Sequence, residues 1–231
     1  MKKNKIVTTL LALLLLFAMS ACAPAAIVTE AMTASPDETA QPTQAPETGV
    51  TVTDMMGREI TLSEPATRVI ALSAADCEVL YAVGAGDLLV GRGEFCDYPQ
   101  EVLNAPAVQS GMETNIEQII SLAPQVLLMS AMAQTEDQVK QLEAAGIQCV
   151  VSDAKDINGV YQAITLIGAL TGHDAEAADV VKNMQGTLDA LAASAGELVG
   201  KSVYFEVSPL QYGLWTAGKG TFMDEIATML G

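Results

Sequence analysis

The sequence holds few residues of the kinds that carry out metal or nucleophilic chemistry. It contains one histidine, His173, and four cysteines, none of them in a C-x-x-C pair. A zinc site built from Cys and His is therefore not expected. The sequence also lacks the G-x-S-x-G and H-E-x-x-H motifs of hydrolases. Because His173 follows a Thr-Gly helix break, we interpret it as a loop residue rather than a general base. We expect no catalytic residues, no metal site and no enzyme.

One segment nearly matches a phosphate-binding loop. Residues 213–221 read Gly-Leu-Trp-Thr-Ala-Gly-Lys-Gly-Thr, close to G-x-x-x-x-G-K-[ST]. Gly220 stands where the hydroxyl residue that binds Mg²⁺ should be, and Trp215 lies in a loop that would have to wrap around phosphates. A nucleotide-dependent enzyme therefore remains an alternative, but an unfavoured one.

The N-terminus has the pattern of a cleaved export signal. Lys2, Lys3 and Lys5 precede an apolar run over 6–19, which is shorter than the ~20 residues that span a bilayer. Residues 19–22, Met-Ser-Ala-Cys, resemble the bacterial lipobox. That resemblance implies cleavage before Cys22 and a lipid anchor on Cys22, at the extracytoplasmic face of the cell membrane. The competing interpretation is a permanent N-terminal membrane helix.

Residues 23–49 predict a disordered tether. The segment is rich in Ala, Pro, Thr, Glu and Gln and shows no apolar periodicity. Such a composition cannot bury enough apolar surface to repay the entropy of ordering. An anchor, a tether and a globular part form a coherent layout.

Charge and cysteine count narrow the class further. The formal net charge of −17 argues against nucleic-acid binding, which needs a basic surface. If Cys22 carries lipid, Cys77, Cys96 and Cys149 remain, and an odd count cannot form a complete set of internal disulfides. We expect these three to be free thiols.

Short apolar strands alternate with helices between residues 51 and 151. Strands are predicted at 51–53, 59–62, 68–72, 88–91, 126–129 and 148–151, and helices at 76–83, 116–122 and 136–145. The first two strands flank a Gly turn and predict a β-hairpin. The alternation of the rest predicts an α/β fold with a mostly parallel sheet.

The remaining chain predicts helices at 158–170 and 174–195, a strand at 202–207, a loop at 208–220 and a helix at 221–230. One strand and one helix cannot close a core of their own, because an independently stable sheet needs several strands. We therefore expect a second lobe that is truncated in this chain, with loose packing after residue 200.

Several motifs, in a fixed order, resemble one family. They are Arg-Val-Ile-Ala-Leu-Ser over 68–73, Gly-Ala-Gly-Asp-Leu-Leu-Val-Gly over 84–91, Cys-Asp-Tyr-Pro over 96–99, Asn115 to Pro124, Ile-Gly-Ala-Leu-Thr-Gly over 167–172 and Trp215 to Phe222. The sequence is similar, from about residue 50 onward, to the substrate-binding proteins that feed ABC importers of iron chelates and vitamin B12.

The resemblance implies two α/β lobes, each a mostly parallel sheet flanked by helices, joined by one long helix. The expected layout is a signal peptide (1–22), a tether (23–49), an N-terminal lobe (50–158), helices that include the interlobe helix (159–196) and the start of a C-terminal lobe (197–231).

The resemblance also implies ligand-binding residues in the cleft between the lobes. The matching positions are Ser73, Ala74, Phe95, Tyr98, Met112, Met132, Tyr212 and Trp215. Aromatic rings offer large, rigid apolar contact to a flat macrocycle or a catechol. The competing interpretation is ordinary packing, with Tyr98 filling its loop and Phe95 in the core.

Family members dock on their permease through one acidic residue in each lobe. Glu117 matches the position in the first lobe, with an ordinary helix-face carboxylate as the competing interpretation. Glu225 is the nearest match in the second lobe, although Thr228 competes for that register.

The implied function is capture of a metal chelate and its delivery to an ABC importer by a monomeric protein without a cofactor of its own. Ferric siderophores are often anionic, and Arg92 and Lys219 are the obvious loop cations. An aromatic content of 4% disfavours cobalamin, which prefers aromatic walls. An iron chelate is therefore the first expectation. Cobalamin or another corrinoid, and a truncated surface lipoprotein without function, are the alternatives.

Overall fold

A computed structural model describes residues 49–111, 113–131, 134–195 and 200–231. These residues belong to one compact unit, Ala45–Gly231. Several predicted features lie outside the described residues. They are the signal peptide with the predicted lipidation site Cys22, residues 23–48 of the tether, Met112 and Met132. Within the described ranges, no helix combines the length and apolarity needed to cross a membrane.

The fold begins with the predicted hairpin. Strand β1 (Val50–Thr53) pairs antiparallel with β2 (Glu59–Leu62). Ile60 is the buried side chain of β2, and Val52 and Leu62 pack against the same cluster. The alternation of apolar and polar residues thus places one face of the hairpin on the core.

A parallel sheet of five strands forms the centre of the fold. It consists of β3 (Val69–Ala71), β4 (Leu89–Gly93), β5 (Ala107–Val108), β6 (Val126–Met129) and β7 (Gln148–Val151), in the order β5-β4-β3-β6-β7. All four pairings are parallel. The predicted α/β class with a mostly parallel sheet is confirmed.

Within the described residues, six α-helices connect and follow the strands. They are α1 (Ala74–Ala82), α2 (Ile116–Leu122), α3 (Glu136–Ala144), α4 (Ile157–Thr171), α5 (Asp174–Ser194) and α6 (Phe222–Met229). Every helix except α5 begins at a Ser, Thr, Asn or Asp whose side chain accepts a hydrogen bond from a backbone N–H of the first turn. Local capping explains why the predicted helix starts lie so close to the observed ones.

The sheet separates two apolar clusters. Val69 and Ala71 of β3 face a cluster that includes Leu80 of α1 and Ile167 of α4. Ile70, between them, faces the opposite cluster, which includes residues of α2 and α3. Successive side chains of a strand point to opposite faces, so the all-apolar β3 must be covered on both sides.

Helices α4 and α5 pack against each other and extend the first cluster. Ile164, Leu166, Ile167 and Leu170 of α4 are buried. Ala177 is the buried residue of α5, and Val180, Val181 and Met184 are half-buried against the same cluster. Leu191, near the end of α5, is 50% exposed. Burial along α5 therefore decreases from Ala177 in its first turn to Leu191 near its end.

The strand predicted at 202–207 is wrong. The segment has an isolated antiparallel bridge, Glu206 with Thr216, and a hydrogen bond from Val207 N to Trp215 O of 3.1 Å. Two backbone contacts do not make a ladder, and a strand gains its stability from neighbouring strands. None of residues 200–231 is buried, in agreement with the loose packing expected there.

Candidate functional site

The loops that follow the five parallel strands share one edge of the sheet, here called the carboxyl edge. It comprises residues 72–74 after β3, 94–98 after β4, 109–111 and 113–115 after β5, 130–131 and 134–135 after β6, and 152–155 after β7. Four predicted ligand residues, Ser73, Ala74, Phe95 and Tyr98, lie on it. Met112 and Met132 are outside the described residues. Ligands of open α/β sheets bind at such edges.

Two aromatic side chains of the carboxyl edge are exposed to solvent. Phe95 is 79% exposed and Tyr98 is 66% exposed. The competing interpretations, that Phe95 belongs to the core and Tyr98 packs its own loop, are therefore wrong. Exposed rings on a loop offer stacking contact to a ligand at little conformational cost, because each ring has only two side-chain torsions.

The guanidinium of Arg92 holds the aromatic loop in place. Its Nη1 donates to the backbone carbonyls of Gly93 at 3.1 Å, Glu94 at 3.4 Å and Cys96 at 2.9 Å. Cys96, which lies between the two aromatic residues in the sequence, is buried and donates its N–H to Gly93 O at 3.0 Å. Arg92 is thus directed at the protein's own backbone, which weakens its predicted role as a cation for an anionic ligand.

A buried carboxylate, Asp76, joins the loops after β3 and β7. Ser73 Oγ donates to Asp76 Oδ2 at 2.6 Å, and Ser152 Oγ donates to Asp76 Oδ1 at 2.5 Å. Asp76 N in turn donates to Ser73 Oγ at 3.1 Å, which caps α1. Burial, and to a smaller extent the charge of the nearby Asp153, raise the pKa of Asp76 to about 6 against the two hydroxyl bonds that lower it.

Three further hydrogen bonds organise the loops after β5, β6 and β7. Ala131 N donates to Asp153 Oδ2 at 2.8 Å. Gln134 Nε2 donates to Thr114 Oγ1 at 3.1 Å, and Thr114 Oγ1 donates to Gly111 O. Gln134 Oε1 is buried and has no hydrogen-bond partner among the described residues. An unfilled buried acceptor at this edge suits a ligand that donates an N–H or O–H.

Sequence reasoning missed Asp76, Gln134, Ser152 and Asp153. A local signal existed for Asp76, because Ser73-x-x-Asp76 resembles the Ser-x-x-Glu pattern of a helix start. Ser152 and Asp153 directly follow a predicted strand, as Ser73 does. The link between Asp76 and Ser152 spans 76 positions of sequence and had no local signal.

Tyr212 and Trp215 lie in the segment after α5. They are 69% and 62% exposed, and Trp215 Nε1 donates to Tyr212 O at 2.9 Å. Their described hydrogen bonds thus stay within the segment itself. Whether these two rings and the carboxyl edge face one ligand remains a prediction.

In the segment that nearly matches a phosphate-binding loop, neighbouring side chains hydrogen-bond the backbone groups of the loop. Asp224 Oδ2 accepts from Gly220 N at 2.8 Å, and Thr221 Oγ1 donates to Gly218 O at 2.8 Å while it caps α6. A carboxylate therefore sits on a backbone amide that a phosphate would need. This arrangement argues against the nucleotide alternative.

The two predicted docking acids differ in their surroundings. Glu117, in the first turn of α2, is exposed and makes no hydrogen bond or ion pair with any described residue. Glu225 of α6 is half-buried, and its Oε2 accepts from Ile157 N at 2.9 Å, at the start of α4. Permease docking through either residue remains a prediction.

The cysteines Cys77, Cys96 and Cys149 are free and buried, as expected. A hydrogen bond with Cys96, together with burial, raises the pKa of Cys77. Burial raises the pKa of Cys149 to about 12. In the part of the chain that the structure describes, no group of three or more His, Cys, Asp or Glu residues could hold a metal ion.

Similar proteins were found by sequence and by structure. One relative, 34% identical over 187 residues, is an uncharacterized ABC transporter substrate-binding lipoprotein, YvrC, of Bacillus subtilis; the match covers 78% of this chain and 59% of the relative. A vitamin B12-binding protein of Salmonella typhimurium is 30% identical, with 72% of this chain and 61% of the relative covered. This chain therefore spans about 60% of the length of these relatives.

A solved structure of another binding protein is also similar to this chain. A possible iron-binding, periplasmic solute-binding protein from Staphylococcus epidermidis is 28% identical, with a TM-score of 0.61 over 72% of this chain and 66% of that one. A family model described as periplasmic binding protein matches residues 69–231, which include the whole parallel sheet and every helix. That family consists of binding proteins rather than enzymes, and this chain belongs to it.

Proposed function

We propose that this protein is the substrate-binding component of an ABC importer and captures a metal chelate at the carboxyl edge. One observation carries the proposal: two exposed rings, Phe95 and Tyr98, lie beside hydrogen-bonded loops on the carboxyl edge, and open α/β sheets generally bind ligands at such an edge. The relative of Bacillus subtilis, named as an ABC transporter substrate-binding lipoprotein, supports the same function.

Among metal chelates, a corrinoid such as vitamin B12 fits the described edge best. The charged side chains of these loops are mainly acidic, with Glu94, Asp97, Glu113 and Asp153 against one exposed lysine, Lys155, while Arg92 is directed at backbone carbonyls. An anionic chelate would meet like charge there. A corrinoid is nearly neutral and carries side-chain amides, whose N–H groups suit the open acceptor Gln134 Oε1. The Salmonella typhimurium relative's name is in line with this choice.

A ferric siderophore or another iron complex, the ligand first expected from the sequence, is the second candidate. The similarity to the possible iron-binding protein of Staphylococcus epidermidis favours it. Lys219 is exposed in the loop after Trp215 and is available to an anionic ligand, unlike Arg92. The two candidates thus differ in charge, and charge decides which side chains would contact them.

The proposal includes a second lobe and a membrane anchor. Tyr212 and Trp215 would close on the ligand from the second lobe, with α5 as the helix between lobes. At about 1.5 Å per residue, a helix of the length of α5 extends roughly 30 Å, enough to connect two small lobes. Lipid on Cys22 and a flexible tether would keep a monomeric binding protein beside its importer.

Delivery would use Glu117 as the docking acid of the first lobe, because it is exposed and unpaired among the described residues. Glu225 would serve the second lobe only if its hydrogen bond to Ile157 N opens. A Glu117→Gln variant should bind the ligand normally and lower importer-dependent uptake in cells. Normal uptake by this variant would remove Glu117 from the docking surface.

The proposal is tested by titration of the single tryptophan's fluorescence with cyanocobalamin, haemin and a ferric tris-catecholate complex. We expect saturable quenching by cyanocobalamin. Replacing Phe95 or Tyr98 by Ala should weaken binding by about 1–2 kcal/mol, as expected for loss of a buried ring contact. The matched control is Ile120→Ala, a 41% exposed apolar side chain on α2. Saturation by the ferric complex alone would favour the second candidate, and no response to any probe would reject the function.

A further inference from the structure

We propose that Asp76 is a positioning residue, one that sets whether the Ser152 hydroxyl at the carboxyl edge accepts or donates a hydrogen bond toward the ligand. The inference rests on the proposed ligand site and deepens it. Asp76 does not itself face the ligand, because it is buried in the first turn of α1. It acts through the hydroxyls of Ser73 and Ser152, which are both half-buried at that edge.

The geometry fixes the direction of both hydroxyl hydrogens when Asp76 is ionised. A carboxylate only accepts hydrogen bonds, so Ser73 Oγ–H and Ser152 Oγ–H must both point inward, over 2.6 Å and 2.5 Å. A serine hydroxyl has one hydrogen and two lone pairs. Ser152 can then offer only lone pairs outward. A ligand that donates an N–H is matched, and a ligand that presents an anionic oxygen is not.

Protonation of Asp76 reverses this pattern at one serine. The new carboxyl O–H needs an acceptor, and the candidates are the two serine oxygens. Ser73 Oγ already accepts from Asp76 N at 3.1 Å, whereas Ser152 Oγ has both lone pairs available. Ser152 therefore accepts from the carboxyl group, and its own hydrogen turns outward as a donor. No covalent change is needed apart from one proton taken up from solvent.

The groups around Asp76 place this change in an accessible pH range. Asp153 faces Asp76 from the loop after β7, and Cys77 lies beside it on α1. Cys96 lies in the loop after β4, and the positive charge of Arg92 in β4 lowers the pKa of both thiols. Burial and the Asp153 charge raise the pKa of Asp76 to about 6, against the two hydroxyl bonds. Ser152 is thus an acceptor above this pH and a donor below it.

Asn is the informative substitution at position 76. An Asp76→Asn side chain has one acceptor oxygen and one donor nitrogen, so it imitates the protonated acid and keeps both serine contacts. Since the folded-state pKa of Asp76 lies above its ordinary value of 3.8, the stabilising contribution of its neutral form is lost as pH rises through about 6. The amide variant, neutral at every pH, should therefore fold at neutral pH.

The first test measures the affinity of the full chain for cyanocobalamin, whose amide groups donate hydrogen bonds, from pH 5 to pH 8. The wild-type affinity should fall about five- to tenfold on acidification, roughly the worth of one hydrogen bond. The midpoint should lie near 6. Asp76→Asn should bind at the wild type's low-pH level throughout, and Asp153→Asn should move the midpoint to lower pH. The control Asp87→Asn changes an exposed carboxylate before β4, at the opposite edge, and should keep the wild-type profile.

The second test needs no ligand. In ¹³C NMR titrations, the Asp76 carboxyl carbon and the Ser152 Cβ should shift with one common midpoint, and the Ser152 shift should vanish in Asp76→Asn. If Ser152 does not follow Asp76, or if Asp76→Asn keeps a wild-type pH profile of affinity, the proposal is wrong. If cyanocobalamin fails to bind at any pH while the two resonances titrate together, the ligand assignment fails and the role of Asp76 stands.

Discussion

At the residue scale, the carboxylate of Asp54 ties the hairpin turn to the edge strand of the sheet. Its Oδ1 accepts from the N–H groups of Met56 and Arg58, and its Oδ2 accepts from Val151 N and from the Arg58 guanidinium at 2.9 and 2.7 Å. Arg58 also donates to Cys149 O at 2.8 Å. Burial opposes the ionisation of Asp54, but these bonds outweigh it and hold its pKa below the usual value.

Replacing Arg58 by Met should therefore lower the free energy of unfolding at pH 7 by about 2–4 kcal/mol, because it leaves a buried carboxylate without its cation. Urea denaturation measures the loss. Since the folded-state pKa of Asp54 is lowered, its contribution is present above the unfolded value of 3.8 and is lost as pH falls through the folded-state pKa. The difference between wild type and variant should shrink as the pH falls below 3.8.

The matched control is Lys140→Met, whose partners Glu136 and Asp137 are almost fully exposed. An exposed ion pair contributes little, so the control should change the free energy of unfolding by no more than about 0.5 kcal/mol. Equal losses in the two variants would contradict the role assigned to the buried pair.

Individual residues also show which features of the site could be predicted from the sequence and which could not. Ser73 and Phe95 were predicted as ligand residues because they match positions in motifs that resemble a family, and such motifs can be read from the sequence alone. Asp76 gains its character from burial and from Ser152, a contact made only by the fold. Arg92 looked like a ligand cation in the sequence, and the backbone carbonyls that occupy it could not be foreseen from residue type.

At the element scale, the predictions that held rest on local signals. Helix α2 and strands β6 and β7 have the predicted bounds, because Asn115 caps α2 and buried apolar runs mark the strands. Strand β5 was missed because Ala107–Val108 is too short to show a pattern. The segment 202–207 has the apolar pattern of a strand but does not form one, because it has no neighbouring strand among the described residues with which to build a ladder.

Two glycines at the helix pair α4–α5 should respond in opposite ways to alanine. Gly172 ends α4 with a φ of 73°, and a Cβ there would lie 3.2 Å from Pro65 Cβ. Gly186 is inside α5, and a Cβ there would have nothing within 4 Å. Gly172→Ala should therefore destabilise the protein by about 1–2 kcal/mol, whereas Gly186→Ala should stabilise α5 by about 0.5–1 kcal/mol.

Thermal unfolding followed by circular dichroism, with amide hydrogen exchange in α5, measures both changes. The two variants control each other because each adds the same methyl group to the same pair of helices. A stabilising Gly172→Ala would show that the left-handed cap is not required. A destabilising Gly186→Ala would show that a covered surface lies over the middle of α5.

At the scale of the whole molecule, burial is unevenly distributed along the chain. The clusters on both faces of the sheet draw on residues 60–177, including helices α1 to α4 and the start of α5. Residues 200–231 contribute exposed apolar side chains instead, among them Tyr204, Leu214 and Trp215. Local stability follows buried contacts, so the segment from 200 onward should open at a lower free energy than the sheet.

Limited trypsin digestion should therefore cleave the described part of the chain first after Lys201 or Lys219, which are exposed outside helices and lie in the segment that has no buried residue. Lys140 and Lys182 are the matched sites, since they lie within α3 and α5, whose backbone must unfold before a protease can bind it. Mass spectrometry of the early fragments should recover the sheet with α1 to α5 intact. A ligand that contacts Tyr212 and Trp215 as well as Phe95 and Tyr98 would slow the Lys219 cut. A ligand held by the carboxyl edge alone would leave that rate unchanged, so the same digest reports whether both groups of rings bind one molecule.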